Sequence, residues 1–234
     1  WRRVKRLQRL LTHSFHGRCL AVRRVTENRG KKTPGVDGET WGTPNAKWVA
    51  VEKLSRKRGY KPKPLRRVWI PKPGRREKRP LGIPTMLDRA MQALYLLALE
   101  PVVEVTSDLK SYRFRPDRST TDAMTELFHL LAPQTAPVWV LEADIKGFFD
   151  NINHEWLKQN VCMDKTLLHK WLKSGVIDRK QFTATQAGTP QGGIVSPCLA
   201  NATLNGLETG MKQYLVKILG VKKAKKAKVH LVRY

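Results

Sequence analysis

Asp144 closes a nearly continuous apolar run, Val138-Trp-Val-Leu-Glu-Ala-Asp144, and is followed at once by Ile-Lys-Gly-Phe-Phe-Asp-Asn-Ile152. Such a run predicts a strand buried on both faces. A carboxylate at the carboxyl end of that strand stands where layered folds present ligands to a crevice, although a cap or turn uses the same residue type. The residues that follow favour the ligand. Gly147 beside two aromatics predicts a turn that exposes backbone N–H groups, which can hold phosphate oxygens while the Asp holds Mg²⁺. Phe149, five residues after the Asp, can wall off a sugar ring, whereas Phe148 is expected in the core.

Two further segments carry chemistry. Thr189-Pro-Gln-Gly-Gly-Ile-Val-Ser-Pro197 sets two glycines between a turn and a helix, so a ligand can approach the backbone closely. Gln191 offers both a donor and an acceptor there, next to Gly192. In Ile70-Pro-Lys-Pro-Gly-Arg-Arg-Glu-Lys-Arg-Pro-Leu-Gly-Ile-Pro84, Lys72 and Arg79 occupy the two arms of an expected hairpin. Paired strands can aim a compact ammonium and a forked guanidinium at one triphosphate. Neighbouring cations (Arg66, Arg67, Arg75, Arg76, Lys78) read as nonspecific backbone contacts or solvent-facing charges.

The elements that must position these residues follow from pattern. Residues 1–25 read as one basic helix and Asn28–Gly38 as a turn-rich loop. Val68-Trp-Ile70 and Leu81-Gly-Ile83 read as hairpin arms around Pro73-Gly74. Thr85 with Asp88, and Ser119 with Asp122, carry the capping-box signature of helix starts. Ser196-Pro197 predicts an N-cap and one helix running through Leu199, Leu207, Met211 and Leu215 to Gly220. Lys217–Lys228 reads as a solvated hairpin tip, and Val229–Tyr234 as a strand cut short. With no initiator Met at the other end, the sequence is expected to be part of something longer.

Composition narrows the field. The chain has 234 residues and 45 Lys+Arg against 19 Asp+Glu, a formal charge of +26. At 41% hydrophobic residues it is too apolar for a disordered basic tail. A mean hydropathy of −0.47 and no run of eighteen apolar residues argue against a membrane span. Residues 53–79 alone hold thirteen basic residues and one acid, Glu77. So large an excess on a folded chain implies a polyanionic partner, with nucleic acid the default. Cys19, Cys162 and Cys198 are odd in number and far apart, which fits a reducing compartment. His13-x-x-His16-x-x-Cys19 lacks a fourth ligand and reads as ordinary packing. His154 reads as a surface residue at a helix start, and Glu100, Glu104 and Glu142 as solvent-facing or ion-paired.

Taken together and in order, these segments resemble the fingers and palm of reverse transcriptases of the group II intron-encoded kind, also called maturases. The likeness runs from about residue 19 to residue 234. Asn28–Gly38 resembles an extra N-terminal motif, Trp69–Pro84 and Ser111–Ser119 the fingers motifs, and Val138–Trp156 and Gly188–Glu208 the next palm motifs. One departure is visible: Arg113 stands where the family has Gly in Ser-Tyr-Gly-Phe-Arg-Pro, adding a cation.

The resemblance implies an α+β fold: a right-hand polymerase palm with an antiparallel sheet and packed helices, preceded by a basic fingers subdomain. It implies residues 1–84 as N-terminal helix, extra motif and fingers hairpin, 85–137 as fingers and palm helices, and 138–234 as a partial palm. It implies an RNA-directed DNA polymerase that uses Mg²⁺, deoxynucleoside triphosphates, an RNA template and a DNA primer, and that also assists splicing and mobility of its intron RNA. Asp144 would be a catalytic metal ligand with the Ile145 carbonyl beside it. Gly147 and Phe148 would offer N–H groups to the triphosphate, closed over by Lys72 and Arg79. Phe149 would exclude a ribonucleotide 2′-OH, and Gln191 and Gly192 would line the nucleotide and template base. Arg66, Arg67, Arg113, Arg115 and Arg118 would touch nucleic acid. The partner aspartates of the family lie in a Tyr-Ala-Asp-Asp string, and the sequence ends at Tyr234, so these residues alone are expected to be inactive. Two other readings stay open: an RNA-binding splicing cofactor without polymerase activity, and a diversity-generating or CRISPR-linked reverse transcriptase. The resemblance implies a bacterial cytoplasmic, nucleoid-associated or organellar setting; with no isolated basic amphipathic anchor carrying aromatics on its apolar face, no membrane partner is expected.

Overall fold

A computed structural model describes residues 1–234 except 56–58, 73 and 75. The expected turn residue Pro73 and the cation Arg75 therefore lie outside the described residues. The chain forms two compact units: residues 1–102 with 147–200, and residues 103–146 with 201–234.

The first unit opens on α1 (Arg2–His13) and α2 (Phe15–Glu27). The expected single helix is thus two. Ser14 takes an extended conformation and its hydroxyl accepts from the Gly17 N–H, capping α2 and ending α1 in one step. After the turn-rich loop comes α3 (Pro44–Lys53), capped by Thr43 with Pro at its first position. Strands β1 (Leu65–Pro71) and β2 (Lys78–Ile83) form the expected antiparallel hairpin, with Val68 opposite Leu81. After the short α6 (Phe148–Asn151, below) come α7 (His154–Asn160) and α8 (Lys165–Leu172), capped by Asn153 and Asp164. Then β3 (Val176–Asp178) and β4 (Gln181–Thr183) complete a four-stranded sheet of order β2-β1-β3-β4. The α+β class holds, but the sheet is mixed: β1 and β3 run parallel.

The core of this unit gathers around α4 (Met86–Thr106), whose Ala90, Met91, Leu94 and Leu99 are buried. Gln92, Asp88 and Arg89 are buried on the same helix, so its first turns are enclosed all round. The Thr85 hydroxyl accepts from the Asp88 N–H at 3.1 Å and donates to Asp88 Oδ2 at 2.6 Å, which realises the expected helix start. Asp88 also accepts from the Tyr60 hydroxyl at 2.6 Å, and that hydroxyl accepts from Trp171 Nε1 of α8 at 3.1 Å. Burial raises the Asp88 pKa, against the pull of its Thr85, Tyr60 and Lys63 hydrogen bonds.

In the second unit, α5 (Thr120–Leu131) begins with the expected Ser119–Asp122 capping box. The expected helix from Ser196 to Gly220, whose first residues belong to the first unit, is interrupted. α9 (Ser196–Leu204) ends before Gly206, whose φ of 87° breaks the helix, and α10 (Leu207–Leu219) restarts there. Ser196 does not cap: its Oγ is buried with no hydrogen-bond partner, and the first turn closes from Leu199 N–H to the Val195 carbonyl. The lysine-rich segment is no hairpin tip, because Val221–Lys226 is a short helix, α11. Val229–Tyr234 is not a strand but touches Ser111 through a single parallel bridge at Arg233.

The largest departure is at Val138–Asp144. No strand forms there, and Trp139 and Leu141 are 90% and 92% exposed. A strand exists only when a neighbouring backbone takes its N–H and C=O groups. None among the described residues pairs with this one, so the apolar run has no sheet to enter.

Candidate active site

The glycine-rich loop between β4 and α9 is held at several steps within the first unit. Gly188 N–H donates to the Ile152 carbonyl at 2.8 Å and Thr189 N–H to the Phe149 carbonyl at 2.7 Å. His154 Nε2 donates to the Gly188 carbonyl at 2.7 Å. Further along, the Gln191 carbonyl accepts from Gly82 N–H of β2 at 2.7 Å, and Ile194 N–H donates to the Gln92 side-chain oxygen at 2.8 Å. Glycine is required at two of these steps. At Gly188 (φ 84°) a Cβ would sit 2.7 Å from the Phe149 and Asp150 carbonyls; at Gly192 (φ 112°) it would sit 2.7 Å from the Gly82 carbonyl. The base of the loop is buried while Gly192 is exposed, so a rigid stem presents an open tip.

The stem joins the hairpin to the Gly147 turn. On the hairpin, Arg79 lies opposite Ile70, and Lys72 N–H continues the ladder to the Glu77 carbonyl at 3.1 Å. Side chains alternate along a strand, so Ile70, Lys72 and Arg79 share one face. Arg79 is exposed. Lys72 Nζ lies 2.7 Å from Glu77 Oε2, in a solvent-accessible pair worth at most about 1 kcal/mol, which an incoming phosphate can exchange. Gly147 takes φ 62° and leads into α6, with its carbonyl accepting from Asn151 Nδ2 at 2.8 Å. Phe148 and Phe149 are both half-buried and meet edge-on at 5.8 Å, so Phe148 is not the core residue expected.

Asp144 and Ile145 belong to the second unit and are exposed. One carboxylate and one carbonyl supply two oxygens, where Mg²⁺ takes about six. Among the described residues no group of three or more His, Cys, Asp or Glu side chains gathers, at Asp144 or at His13, His16 and Cys19. These residues by themselves do not make a metal site.

The cations divide. Arg67 lies 6.0 Å from the Trp69 ring centroid, and Arg66 is half-buried with its Nε unpartnered. Arg113 is exposed between the Phe114 ring (4.7 Å) and the Tyr234 ring (5.3 Å). Its backbone tolerates the loss of Gly because the left-handed positions of this turn fall on Phe114 and Asp117 instead. Arg118 packs over Tyr112 and donates to the Leu109 carbonyl. Arg115 departs from the expectation. It is buried, and its donors go to both Glu104 oxygens and to the Asp108, Ser111 and Glu104 carbonyls, leaving none for nucleic acid. The Arg115 hydrogen bonds hold Glu104 below its ordinary pKa.

Comparison with known proteins gives the family. Residues 70–234 match the family model described as reverse transcriptase (RNA-dependent DNA polymerase), and residues 1–54 that of the N-terminal domain of reverse transcriptase. The chain belongs to the reverse transcriptase family. Protein YkfC of Escherichia coli is 37% identical over 91% of this chain and 58% of its own length. Group II intron-encoded protein LtrA of Lactococcus lactis is 34% identical over 85% of this chain and 34% of its own. The chain thus spans between a third and three-fifths of these relatives. In fold, this reverse transcriptase chain is similar to one in the Partial Cas6-RT-Cas1--Cas2 complex, with TM-score 0.52 and 22% identity over 86% of this chain and 34% of that one. Reverse transcriptases as a family work with divalent metal ions and a nucleic-acid template and primer.

Three residues of this reverse transcriptase chain escape sequence reasoning. His154, expected at the surface, is buried beneath the Gly188 carbonyl, where desolvation lowers its pKa although that hydrogen bond pulls it upward. Gln92 holds the end of the glycine loop, and its only signal is a polar side chain amid the apolar positions of α4. Arg89 donates to the carbonyls of Pro84, Gly30 and Thr33, pinning the turn-rich N-terminal loop to the start of α4.

Proposed function

We propose that the full-length protein copies RNA into DNA and assists splicing and mobility of a group II intron RNA, with these residues supplying its fingers and the first part of its palm. Residues 1–84 serve as N-terminal helices, extra motif and hairpin, 85–137 as connecting helices, and 138–234 as the opening of the palm. The observation that carries the reading is the anchored 188–193 loop, whose stem bonds both to the Lys72–Arg79 hairpin and to the Phe149 backbone. A charge of +26 supports a nucleic-acid partner.

In this reading Lys72 and Arg79 take the triphosphate of a deoxynucleotide, and the N–H groups of Gly147 and Phe148 hold its oxygens. Phe149 packs against the sugar and excludes a 2′-OH, while Gln191 and Gly192 line the base and its template partner. The primer 3′ oxygen forms a bond to the α-phosphorus as the bond to pyrophosphate breaks. Asp144 and the Ile145 carbonyl contribute ligands to Mg²⁺, with the remaining ligands from outside these residues. Arg66, Arg67, Arg113 and Arg118 contact the nucleic-acid backbone.

Primer extension on an RNA template by the full-length protein tests this. Asp144→Asn is expected to abolish deoxynucleotide incorporation while leaving splicing assistance intact. Loss of both overturns the catalytic assignment, since it marks Asp144 as structural. The 234 residues alone are expected to incorporate nothing, because among the described residues no group of three or more His, Cys, Asp or Glu side chains gathers at Asp144; robust incorporation on them contradicts that assignment.

A further inference from the structure

Away from the glycine loop, α2 and α3 enclose an open groove of about 300 Å³, lined by Cys19, Val22, Arg23, Lys47 and Trp48 among others. Along α2, Phe15, Cys19, Val22 and Thr26 recur at helical spacing and so share the face that meets α3. Two rings stand at this face without being covered. Trp48 is 55% exposed, Phe15 is 44% exposed, and they meet edge-on at 5.9 Å. Phe15 is held in turn: Arg18 lies 5.8 Å from its ring centroid and donates to the Val51 carbonyl of α3 at 3.2 Å. A solvent-exposed Trp beside a second ring is the kind of platform on which another flat ring stacks.

The charge around the groove selects the ring. Residues 1–54 carry thirteen Lys and Arg against four Asp and Glu. Glu27, the one acid among the groove's described lining, is neutralised by Arg23 at 2.9 Å, and Lys47 stands beside Trp48. Such a surface favours a flat ring that arrives attached to a phosphate. We propose that the α2–α3 groove is a stacking site for an unpaired base of single-stranded RNA, with Trp48 beneath the base and Lys47 on its phosphate. The site rests on the RNA-binding part of the function proposed above and shares no residue with the nucleotide site.

The test uses the purified protein, a twelve-nucleotide oligouridylate carrying one 5-iodouracil, and a blunt RNA duplex as control. Irradiation is expected to cross-link the oligomer to Trp48 or Phe15. Trp48→Ala is expected to weaken oligouridylate binding about tenfold, the effect of one lost base stack, with duplex binding unchanged. Trp48→Phe should recover most of the loss, and oligouridylate should slow alkylation of Cys19 in the groove. Unchanged binding by Trp48→Ala, or an equal loss for oligomer and duplex, overturns the stacking site while RNA binding itself stands. A change in self-association on Trp48→Ala, with no cross-link, overturns it in favour of a protein contact. Failure of the unaltered protein to bind either RNA removes both the site and the RNA-binding reading.

Discussion

The 188–193 loop and the 138–145 segment invert what their compositions announce. The first is rich in Gly and Pro and reads as irregular, yet its Gly188 N–H and carbonyl, Thr189 N–H and Gln191 carbonyl all bond to groups of its unit outside the loop. The second reads as a buried strand, yet it pairs with nothing among the described residues and leaves Trp139 in water. Order follows from satisfied backbone groups and covered side chains, and neither is a property of a segment by itself. Glycine makes the first segment rigid because it lets the chain approach the Phe149 and Gly82 carbonyls. Hydrophobicity cannot make the second a strand without an edge to join.

The contrast yields ordered expectations. The largest concerns Asp144, at the end of the unpaired segment. Asp144→Asn in the full-length protein should reduce single-turnover incorporation at least about a hundredfold. Because the side chain is exposed, the melting temperature should hardly move. A matching fall in melting temperature would mean that the segment is built into the fold. Next is Gly192→Ala, which places a methyl 2.7 Å from the Gly82 carbonyl at φ 112° and should cost about 1–3 kcal/mol in chemical denaturation. Full stability in that variant would show the loop stem to be pliable.

A smaller effect attaches to His154. Burial lowers its folded-state pKa below the unfolded value near 6.5, so the unfolded chain binds the extra proton. Stability should therefore decline as pH falls through about 6.5 toward 5. His154→Gln, which keeps a donor for the Gly188 carbonyl, should flatten that slope in thermal melts, and an unchanged slope would assign it elsewhere. The smallest is Trp139→Ser in the 234-residue chain, expected to shift stability by less than about 0.5 kcal/mol. A loss of several kcal/mol would reveal a buried strand at 138–144.

The sequence alone determined several features that rest on neighbours a few residues apart. The Thr85–Asp88 and Ser119–Asp122 helix starts and the two arms of the hairpin are of this kind, since their partners lie within about a turn or a short loop. The motif strings carrying Asp144, Gly147 and Gln191 were legible for the same reason: they are contiguous. Tertiary structure decided much of the rest, most often through groups far along the chain. His154 is buried by a carbonyl 34 residues away, and Gln92 caps a loop 102 residues on. Arg115, expected at nucleic acid, is instead enclosed by Glu104 and the Asp108 and Ser111 carbonyls. β1 found its parallel neighbour β3 more than a hundred residues later, while Val138–Asp144, with the stronger strand pattern, found none. Pattern fixes what a segment can do; the surrounding backbone, by satisfying or leaving its hydrogen-bonding groups, fixes what it does.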